Sequence, residues 1–174
     1  MKTNLIFFAL LSLIPVTIFC KQKKALTSGD IAPTFNLPDE TDTLRSLHEF
    51  KGKKVVLFFY PKDGTPGCTA EACGLRDTFT VYKENGIVLL GISYDSVKSH
   101  ARFKEEHHLP FNLLSDTTGE VAHIYGADRF WLWNFAPQRK TILINEQGII
   151  VALMDDVNVQ EHSDTILKLF GITH

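Results

Sequence analysis

The sequence predicts an α/β protein built on a mainly parallel sheet, with helices on both faces and an antiparallel edge. Two observations carry this prediction. Apolar runs of strand length alternate with helix-like segments along most of the chain, and the last two runs are joined by the turn sequence Asn145 to Gly148, which is typical of a hairpin. With 174 residues, 44% of them hydrophobic, the chain suffices for one ordinary domain.

The first twenty residues differ in composition from the rest of the chain. Lys2 precedes an apolar run from Leu5 to Phe19. About 15 positions is the length of a signal-peptide core, and it is shorter than the roughly 20 that a membrane-spanning helix needs. We therefore expect a signal peptide or lipoprotein leader over residues 1–20, a polar tether over 21–29 and the folded domain over 30–174.

Cys20 directly follows this run and resembles the lipidated cysteine of bacterial lipoproteins, although Phe19 is bulky where those sequences carry a small residue. More lysines follow the run than precede it, and positive charge tends to stay on the cytoplasmic side. The sequence predicts an exported bacterial protein, periplasmic or anchored to the membrane through its leader or Cys20. A cytoplasmic protein with a non-functional leader is the alternative.

From residue 32 onward, runs rich in β-branched and aromatic residues predict six strands. The run Val55 to Tyr60 has no polar break, which is typical of a strand that is buried on both faces. The predicted strands cover residues 32–37, 54–60, 87–94, 113–114, 141–144 and 149–153.

Capping and stop signals predict the helices between these strands. Ser46 and Glu49 have the S-x-x-E form of a capping box. Ser96 has the position of an N-cap, and Pro110 disfavours helix at the residue before it. The predicted helices are a short turn after residue 46, a long helix from about residue 68 to the stop at 85–86, and helices over 96–107, 118–125 and 163–170.

The most informative stretch joins the second predicted strand to the long helix. Pro61, Gly64, Pro66 and Gly67 break the chain between them, so Cys68 lies where the helix begins. Unpaired amides and the positive end of the helix dipole favour a thiolate at such a position. The hydroxyl of Thr65 either caps this turn or donates a hydrogen bond to an oxygen that approaches the sulfur.

These residues resemble a known motif. Pro61, Thr65 and Cys68 reproduce the P-x-x-x-T-x-x-C element of the peroxiredoxins, and Cys73 stands five residues on, the spacing of the bacterioferritin-comigratory or Q-type branch. The likeness continues through GLRDTF, GISYDS, LLSD and RKTILIN and covers roughly residues 26–172. It implies a thioredoxin-like fold, with a central mixed sheet flanked by helices, and a thiol peroxidase that reduces hydroperoxides with thiol donors.

The resemblance also implies roles for single residues. Cys68 would attack the peroxide and become a sulfenic acid, Cys73 would capture it as a disulfide, and a thioredoxin-like protein would reduce that disulfide. Arg139 lies at the position of the family's arginine, where it would hold the thiolate and polarise the peroxide. Thr65 is a second candidate donor, and Pro61 helps to hold Cys68 in place. We expect no cofactor and no metal, and a monomer.

Helix geometry adds one condition to this cycle. Five positions along an unbroken α-helix place two Cα atoms roughly 8–9 Å apart. A disulfide needs Cα atoms within about 6.8 Å of each other. Cys68 and Cys73 therefore cannot join until the first part of the helix opens, which is an inexpensive event at a helix start.

Other interpretations of the cysteines remain. A thiol–disulfide oxidoreductase is one alternative, although the C-x-x-x-x-C spacing differs from the C-x-x-C of such enzymes. A non-catalytic tethered protein with structural cysteines is another. In a third alternative Cys73 is a small buried apolar residue, and Cys68 then needs a partner from another molecule. Glu71 either supports Arg139 or Cys73, or only favours the helix dipole.

The remaining features predict little further chemistry. A formal net charge of −2 and the lack of a basic stripe exclude an electrostatic argument for nucleic-acid binding. We expect His100, His107 and His108 to be solvated residues near a helix end and not metal ligands. The aromatic stretch 130–135 contains both tryptophans and is either a buried loop cluster or an exposed apolar rim over the site.

Overall fold

The computed structural model describes residues 25–128 and 136–173. A five-stranded sheet is its centre, in the order β5-β4-β3-β6-β7. The strands of this sheet are β3 (Lys54–Phe59), β4 (Ile87–Ser93), β5 (Asn112–Ser115), β6 (Lys140–Ile144) and β7 (Ile150–Met154), and a separate two-stranded ribbon consists of β1 (Asn36–Pro38) and β2 (Leu44–Ser46).

Helices cover both faces of the sheet. They are α1 (Pro66–Asp77), α2 (Phe79–Glu84), α3 (Val97–His107), α4 (Glu120–Tyr125) and α5 (His162–Leu169), with a short 3₁₀ helix at Leu47–Phe50. One apolar cluster contains the buried side chains of α4, and a second contains those of α1, α2, α3 and α5. The predicted α/β class, a central mixed sheet flanked by helices, is confirmed.

Strand β3 is the central strand and contributes to both clusters. Val55, Leu57 and Phe59 belong to the cluster with α4, whereas Val56 and Phe58 belong to the cluster with α1. All five of these side chains are buried. This alternation explains the unbroken apolar run in the sequence, because each face of the strand has its own core to fill.

The sheet differs from the prediction in how its strands pair. Parallel pairing joins β3 to β4 and β4 to β5, but β6 is antiparallel to both β3 and β7. Antiparallel pairing therefore begins at the central strand, and the expectation of a mainly parallel sheet is wrong. Pairing partners are set by tertiary contacts, which the composition of a single strand does not reveal.

Two predicted elements have other bounds in the structure. The strand expected over 32–37 is reduced to Asn36–Pro38. The long helix expected after residue 68 is interrupted at Thr78, whose hydroxyl donates to the carbonyl of Gly74 at 3.1 Å and also contacts Ser163 of α5. Such a bond from a threonine hydroxyl to its own helix competes with the regular helical pattern.

The local signals proved more reliable. Ser46 and Glu49 form a complete capping box, and the Ser96 hydroxyl accepts a hydrogen bond from the amide of Ser99 at 3.3 Å. The other predicted helices and strands occur within about three residues of their expected bounds, as is usual for element ends.

Residues before the expected boundary at residue 30 already contact the domain. The amide of Gly29 donates to the carbonyl of Ile150 at 2.8 Å, and the Ser28 hydroxyl donates to the carbonyl of Val151 at 3.0 Å. The end of the predicted tether is thus hydrogen-bonded to β7. None of the helices in the described ranges has the length and apolarity to cross a membrane. The predicted leader with Cys20, and the aromatic stretch 130–135, lie outside the described residues.

Candidate active site

Cys68 lies in the first turn of α1, as predicted. Thr65 is the N-cap residue, Pro66 is the first helical residue, and Cys68 follows two positions later with 3% of its surface exposed. Proline suits the first helical position because the amide it lacks has no helical partner there. The Cys68 thiol is therefore placed among the first-turn amides at the positive end of the helix dipole.

The Thr65 hydroxyl makes a local contact of its own. It donates a hydrogen bond to the carbonyl of Lys62 at 3.0 Å and makes no side-chain cap bond to α1. Of the two roles weighed for this hydroxyl, capping of the helix does not occur in this conformation. The contact closes a four-residue turn from Lys62 to Thr65, which leads directly into the helix of Cys68.

Arg139 is brought to Cys68 by the antiparallel pairing of β6 with β3. In this register Lys140 lies opposite Phe59, so the residue before β6 lies beside the end of β3, where the chain turns towards α1. One guanidinium nitrogen of Arg139, Nη2, lies 3.5 Å from the sulfur of Cys68. The other, Nη1, makes a close ion pair with Oε2 of Glu71.

Glu71 is a buried carboxylate on the first half of α1, and its side chain has no exposed surface. Its second oxygen, Oε1, lies 3.1 Å from Nδ1 of His162, the first residue of α5. The two atoms are close enough for electrostatic attraction, but they do not meet the alignment of a full hydrogen bond. Nε2 of His162 is 2.8 Å from the hydroxyl of Thr141 on β6.

His162 is the site residue that sequence reasoning missed. It is 1% exposed, yet it stands in the sequence as an ordinary residue ahead of a predicted helix. Of the two uses weighed for Glu71, the ion pair with Arg139 occurs in the structure. No spacing rule connects α1 with α5, so only the packed fold could have identified this cluster.

Cys73 lies on the same helix as Cys68 and is half-buried. Helix α1 runs unbroken from Pro66 to Asp77, and both cysteines are free thiols. The condition derived from helix geometry therefore applies: in this conformation the two sulfurs are too far apart in the helix to bond.

A second polar cluster anchors the turn after Pro61. The amide of Asp63 donates to a carboxylate oxygen of Asp95 at 2.9 Å, and the Tyr60 hydroxyl donates to Asp63 at 2.7 Å. Nδ1 of His100, on α3, lies 3.0 Å from a carboxylate oxygen of Asp63. Nε2 of His100 lies 3.2 Å from the carbonyl oxygen of Leu114. The turn that carries Thr65 and Cys68 is thus tied to α3 and to the end of β4.

His100 corrects one expectation. It was expected to be solvated, but it is fully buried, because it faces the turn and not the end of α3. Burial alone raises the pKa of the Asp63 carboxyl, but the hydrogen bond and the charge interaction with His100, with further hydrogen bonds from Tyr60 and Ser99, lower it overall. The described residues contain no group of three or more side chains arranged to hold a metal ion.

Comparison with known proteins identifies the family. The model of the AhpC/TSA family matches residues 28–153 of this chain. Peroxiredoxin Bcp of Escherichia coli strain K12 is 40% identical over 147 residues, which cover 82% of this chain and 94% of that protein.

Solved structures agree with the sequence match. The crystal structure of peroxidoxin BcpB from Mycobacterium tuberculosis superimposes with a TM-score of 0.78 at 36% identity, covering 84% of this chain and 98% of that one. The bacterioferritin comigratory protein of Xanthomonas campestris, whose structure is described for its alkyl peroxide reduction activity, superimposes with a TM-score of 0.74 at 29% identity, covering 79% and 90%. This chain therefore has the thioredoxin-like fold of these proteins, belongs to the AhpC/TSA family and, within it, is a thiol peroxidase of the Bcp/Q type of peroxiredoxin.

Proposed function

We propose that Cys68 is the thiol of this peroxidase that attacks peroxide, and that Cys73 resolves the product. The observation that carries the assignment is the contact between Arg139 and Cys68, in which a guanidinium nitrogen lies 3.5 Å from a nearly buried sulfur at a helix N-terminus. A thiolate is the nucleophile in such chemistry, and both the arginine and the helix end stabilise it.

The reaction divides into three balanced steps. The Cys68 thiolate attacks the distal oxygen of a hydroperoxide, the O–O bond breaks, and protonation yields a sulfenic acid and an alcohol, or water if the peroxide is H₂O₂. The Cys73 thiol then displaces the sulfenic oxygen as water and forms the disulfide. A dithiol donor exchanges with this disulfide and restores both thiols while it becomes oxidised itself.

Arg139 and Thr65 supply the polar groups of the first step. As negative charge moves from sulfur to the leaving oxygen, the fixed guanidinium stabilises it without reorganisation. The Thr65 hydroxyl leaves the carbonyl of Lys62 and donates a hydrogen bond to the peroxide instead. Pro61 restricts the turn that contains Lys62 and Thr65. These polar groups are needed because thiolate formation alone does not make the reaction with peroxide fast: the nucleophilicity of a thiolate falls as the pKa of its thiol falls.

The substrate class is hydroperoxides, and the donor class is thioredoxin-type proteins. We further propose that both hydrogen peroxide and organic hydroperoxides react. The alkyl peroxide reduction described for the Xanthomonas campestris protein supports the second of these. We also propose that the protein acts as a monomer, which size measurement in solution at several concentrations tests.

Export is a separate proposal that rests on the amino-terminal sequence. Residues 1–20 act as a leader, and the protein is periplasmic or tethered to the membrane through this leader or Cys20. Fractionation of the full chain expressed in a bacterium tests this. Recovery in the cytoplasm at full mass would contradict it.

Intact mass measurement of the reduced protein after one equivalent of hydrogen peroxide tests the roles of the cysteines. We expect the wild type to lose two hydrogens, Cys73→Ser to gain one oxygen, and Cys68→Ser to show no rapid change. These masses correspond to a disulfide, a trapped sulfenic acid and an unreactive chain.

Two outcomes would contradict the assignment. If Cys68→Ser reacts as fast as the wild type, another residue is the nucleophile. If the wild type gains oxygen but forms no disulfide within one chain, Cys73 does not resolve the sulfenic acid and the donor must attack Cys68 directly.

A further inference from the structure

Glu71 lies between the two cysteines in the sequence and holds α1 to two other elements. It follows Cys68 by three residues and precedes Cys73 by two. Its carboxylate contacts Arg139, immediately before β6, through one oxygen, and His162, at the start of α5, through the other. The side chains of Glu71 and His162 are 0% and 1% exposed, so water does not replace these contacts in the folded helix.

Disulfide formation must disturb these contacts. The two cysteines can meet only if the residues between them leave the helical conformation, and Glu71 is one of those residues. Arg139 and His162 belong to elements outside α1. When this part of α1 opens, the Glu71 carboxylate therefore moves away from one or both of its partners.

His162 is the partner that has no other role in the proposed chemistry. Its Nε2 is fixed by the Thr141 hydroxyl at 2.8 Å, which leaves Nδ1 facing Glu71 at 3.1 Å. Within the described ranges, neither Nδ1 of His162 nor Oε1 of Glu71 has an aligned hydrogen bond to any other group. Each of these buried atoms therefore depends on the other for electrostatic compensation.

We propose that His162 is a positioning residue that, through Glu71, keeps α1 folded around Cys68 and so controls the fate of the Cys68 sulfenic acid. This inference rests on the proposed roles of Cys68 and Cys73. While α1 stays folded, Cys73 cannot reach the sulfenic acid. A second hydroperoxide can then oxidise it to a sulfinic acid and leave as an alcohol or water. Opening of α1 instead leads to the disulfide and water.

The test measures how the sulfenic acid divides between these two products. Wild type, His162→Phe and His162→Gln are mixed with increasing concentrations of hydrogen peroxide, quenched with acid at short times, and analysed by intact mass. For His162→Phe we expect disulfide formation to be roughly three- to tenfold faster, the range for loss of one polar contact. The sulfinic acid formed per turnover falls by a similar factor. His162→Gln retains an N–H donor and should lie between this variant and the wild type.

Tyr82→Phe is the matched control. The Tyr82 hydroxyl contacts Ser163, the neighbour of His162 on α5, at 2.9 Å, and it does not contact Glu71. Its removal loosens the attachment of α5 but leaves the proposed contact in place, so the ratio of disulfide to sulfinic acid should equal that of the wild type. A loss of general stability would lower the urea midpoint of both Phe variants without changing this ratio.

Several outcomes would overturn the inference. It fails if His162→Phe forms the disulfide at the wild-type rate, or if Tyr82→Phe changes the ratio as much as His162→Phe does. Should His162→Phe not fold, His162→Gln must show the same direction of change, and an unchanged ratio rejects the idea. If the wild type itself forms no disulfide, the assignment of the cysteines fails first, which is a different result from an unchanged ratio among variants that all form it.

Discussion

A single guanidinium contacts two side chains in this site. Nη1 of Arg139 pairs with Glu71, and Nη2 lies 3.5 Å from the sulfur of Cys68. The planar fork of arginine can hold two acceptors at a fixed angle, whereas the ammonium of lysine acts as a point charge. The carboxylate therefore orients the guanidinium, and the sulfur receives a donor that is already in place.

We expect Arg139→Gln to slow the oxidation of Cys68 by roughly 10²-fold, because removal of one fixed donor to developing charge has a cost of this order. Arg139→Lys should retain more of the rate, since the charge remains and only the fork is lost. The second-order rate constant for hydrogen peroxide is measured in the Cys73→Ser background, where only the first step is observed.

Arg45→Gln is the control for this prediction. Arg45 pairs with Asp39 and Glu49 and contacts neither cysteine. Its substitution should leave the rate constant unchanged. If both Arg139 variants oxidise as fast as the wild type while remaining folded in urea titrations, electrostatic stabilisation by Arg139 is wrong.

The two chemical steps require opposite conformations of helix α1. In the proposed mechanism, attack on peroxide uses the folded first turn, where Arg139 contacts Cys68, whereas disulfide formation uses an opened helix. Gly74, the residue after Cys73, makes opening easier because glycine is a poor helix former. A Cβ atom built at this position meets no atom within 4 Å, and its backbone is not in the left-handed region.

We expect Gly74→Ala to stabilise α1 by about 0.5–1 kcal/mol and to slow disulfide formation by roughly two- to fivefold. The rate of Cys68 oxidation should not change, because residue 74 lies six residues after Cys68, in the second half of α1. Rapid quenching with intact mass measurement separates the two steps. A variant that is more stable but resolves as fast as the wild type would show that the opening does not extend to Cys73.

The fold as a whole places buried carboxylates where they hold separate elements together. Asp39 joins the β1–β2 ribbon to the sheet, since it accepts hydrogen bonds from Thr41, Thr43, Arg45 and Asn112. Burial raises the pKa of this carboxyl, but the hydrogen bonds from Thr41, Arg45 and Thr43 together outweigh burial and hold it well below its usual range.

This lowered pKa sets the sign of a stability prediction. A carboxyl with a folded pKa below its unfolded value of about 3.9 stabilises the protein at higher pH, and this contribution is lost as the pH falls through that window. We expect Asp39→Asn to reduce the free energy of unfolding at pH 7 by roughly 1–3 kcal/mol, the range for hydrogen bonds to a charged group.

Urea unfolding at several pH values between 7 and acid tests this prediction. The difference between wild type and Asp39→Asn should shrink as the pH falls below about 4, because the wild-type carboxyl then becomes protonated in the unfolded chain and its advantage disappears. A difference that stays constant over this range would show that the charge of Asp39 does not contribute.

Local signals in the sequence predicted much of the fold. The capping box at Ser46 and Glu49, the N-cap at Ser96 and the buried run of β3 all involve contacts within a few residues, and the structure contains each of them. The predictions that were wrong concern features that are set by contacts between residues distant in the sequence. The antiparallel pairing of β6 with β3 depends on contacts across the sheet, and the burial of His100 depends on a carboxylate 37 residues away.

The sequence by itself determined the family and the position of Cys68 at a helix start, because a proline- and glycine-rich turn between an apolar strand and a helix is a local feature of the chain. The spacing to Cys73 likewise determined that the helix must open, since helix geometry depends only on the number of residues. Only the tertiary structure decided which side chains surround the sulfur.

The antiparallel register of β6 on β3 brings Arg139 to Cys68 from 71 residues away, and the docking of α5 buries His162 against Glu71. No pattern within one element encodes such contacts. They arise when the sheet and its helices pack together, and the low dielectric of that packed interior makes each charge depend on its partner.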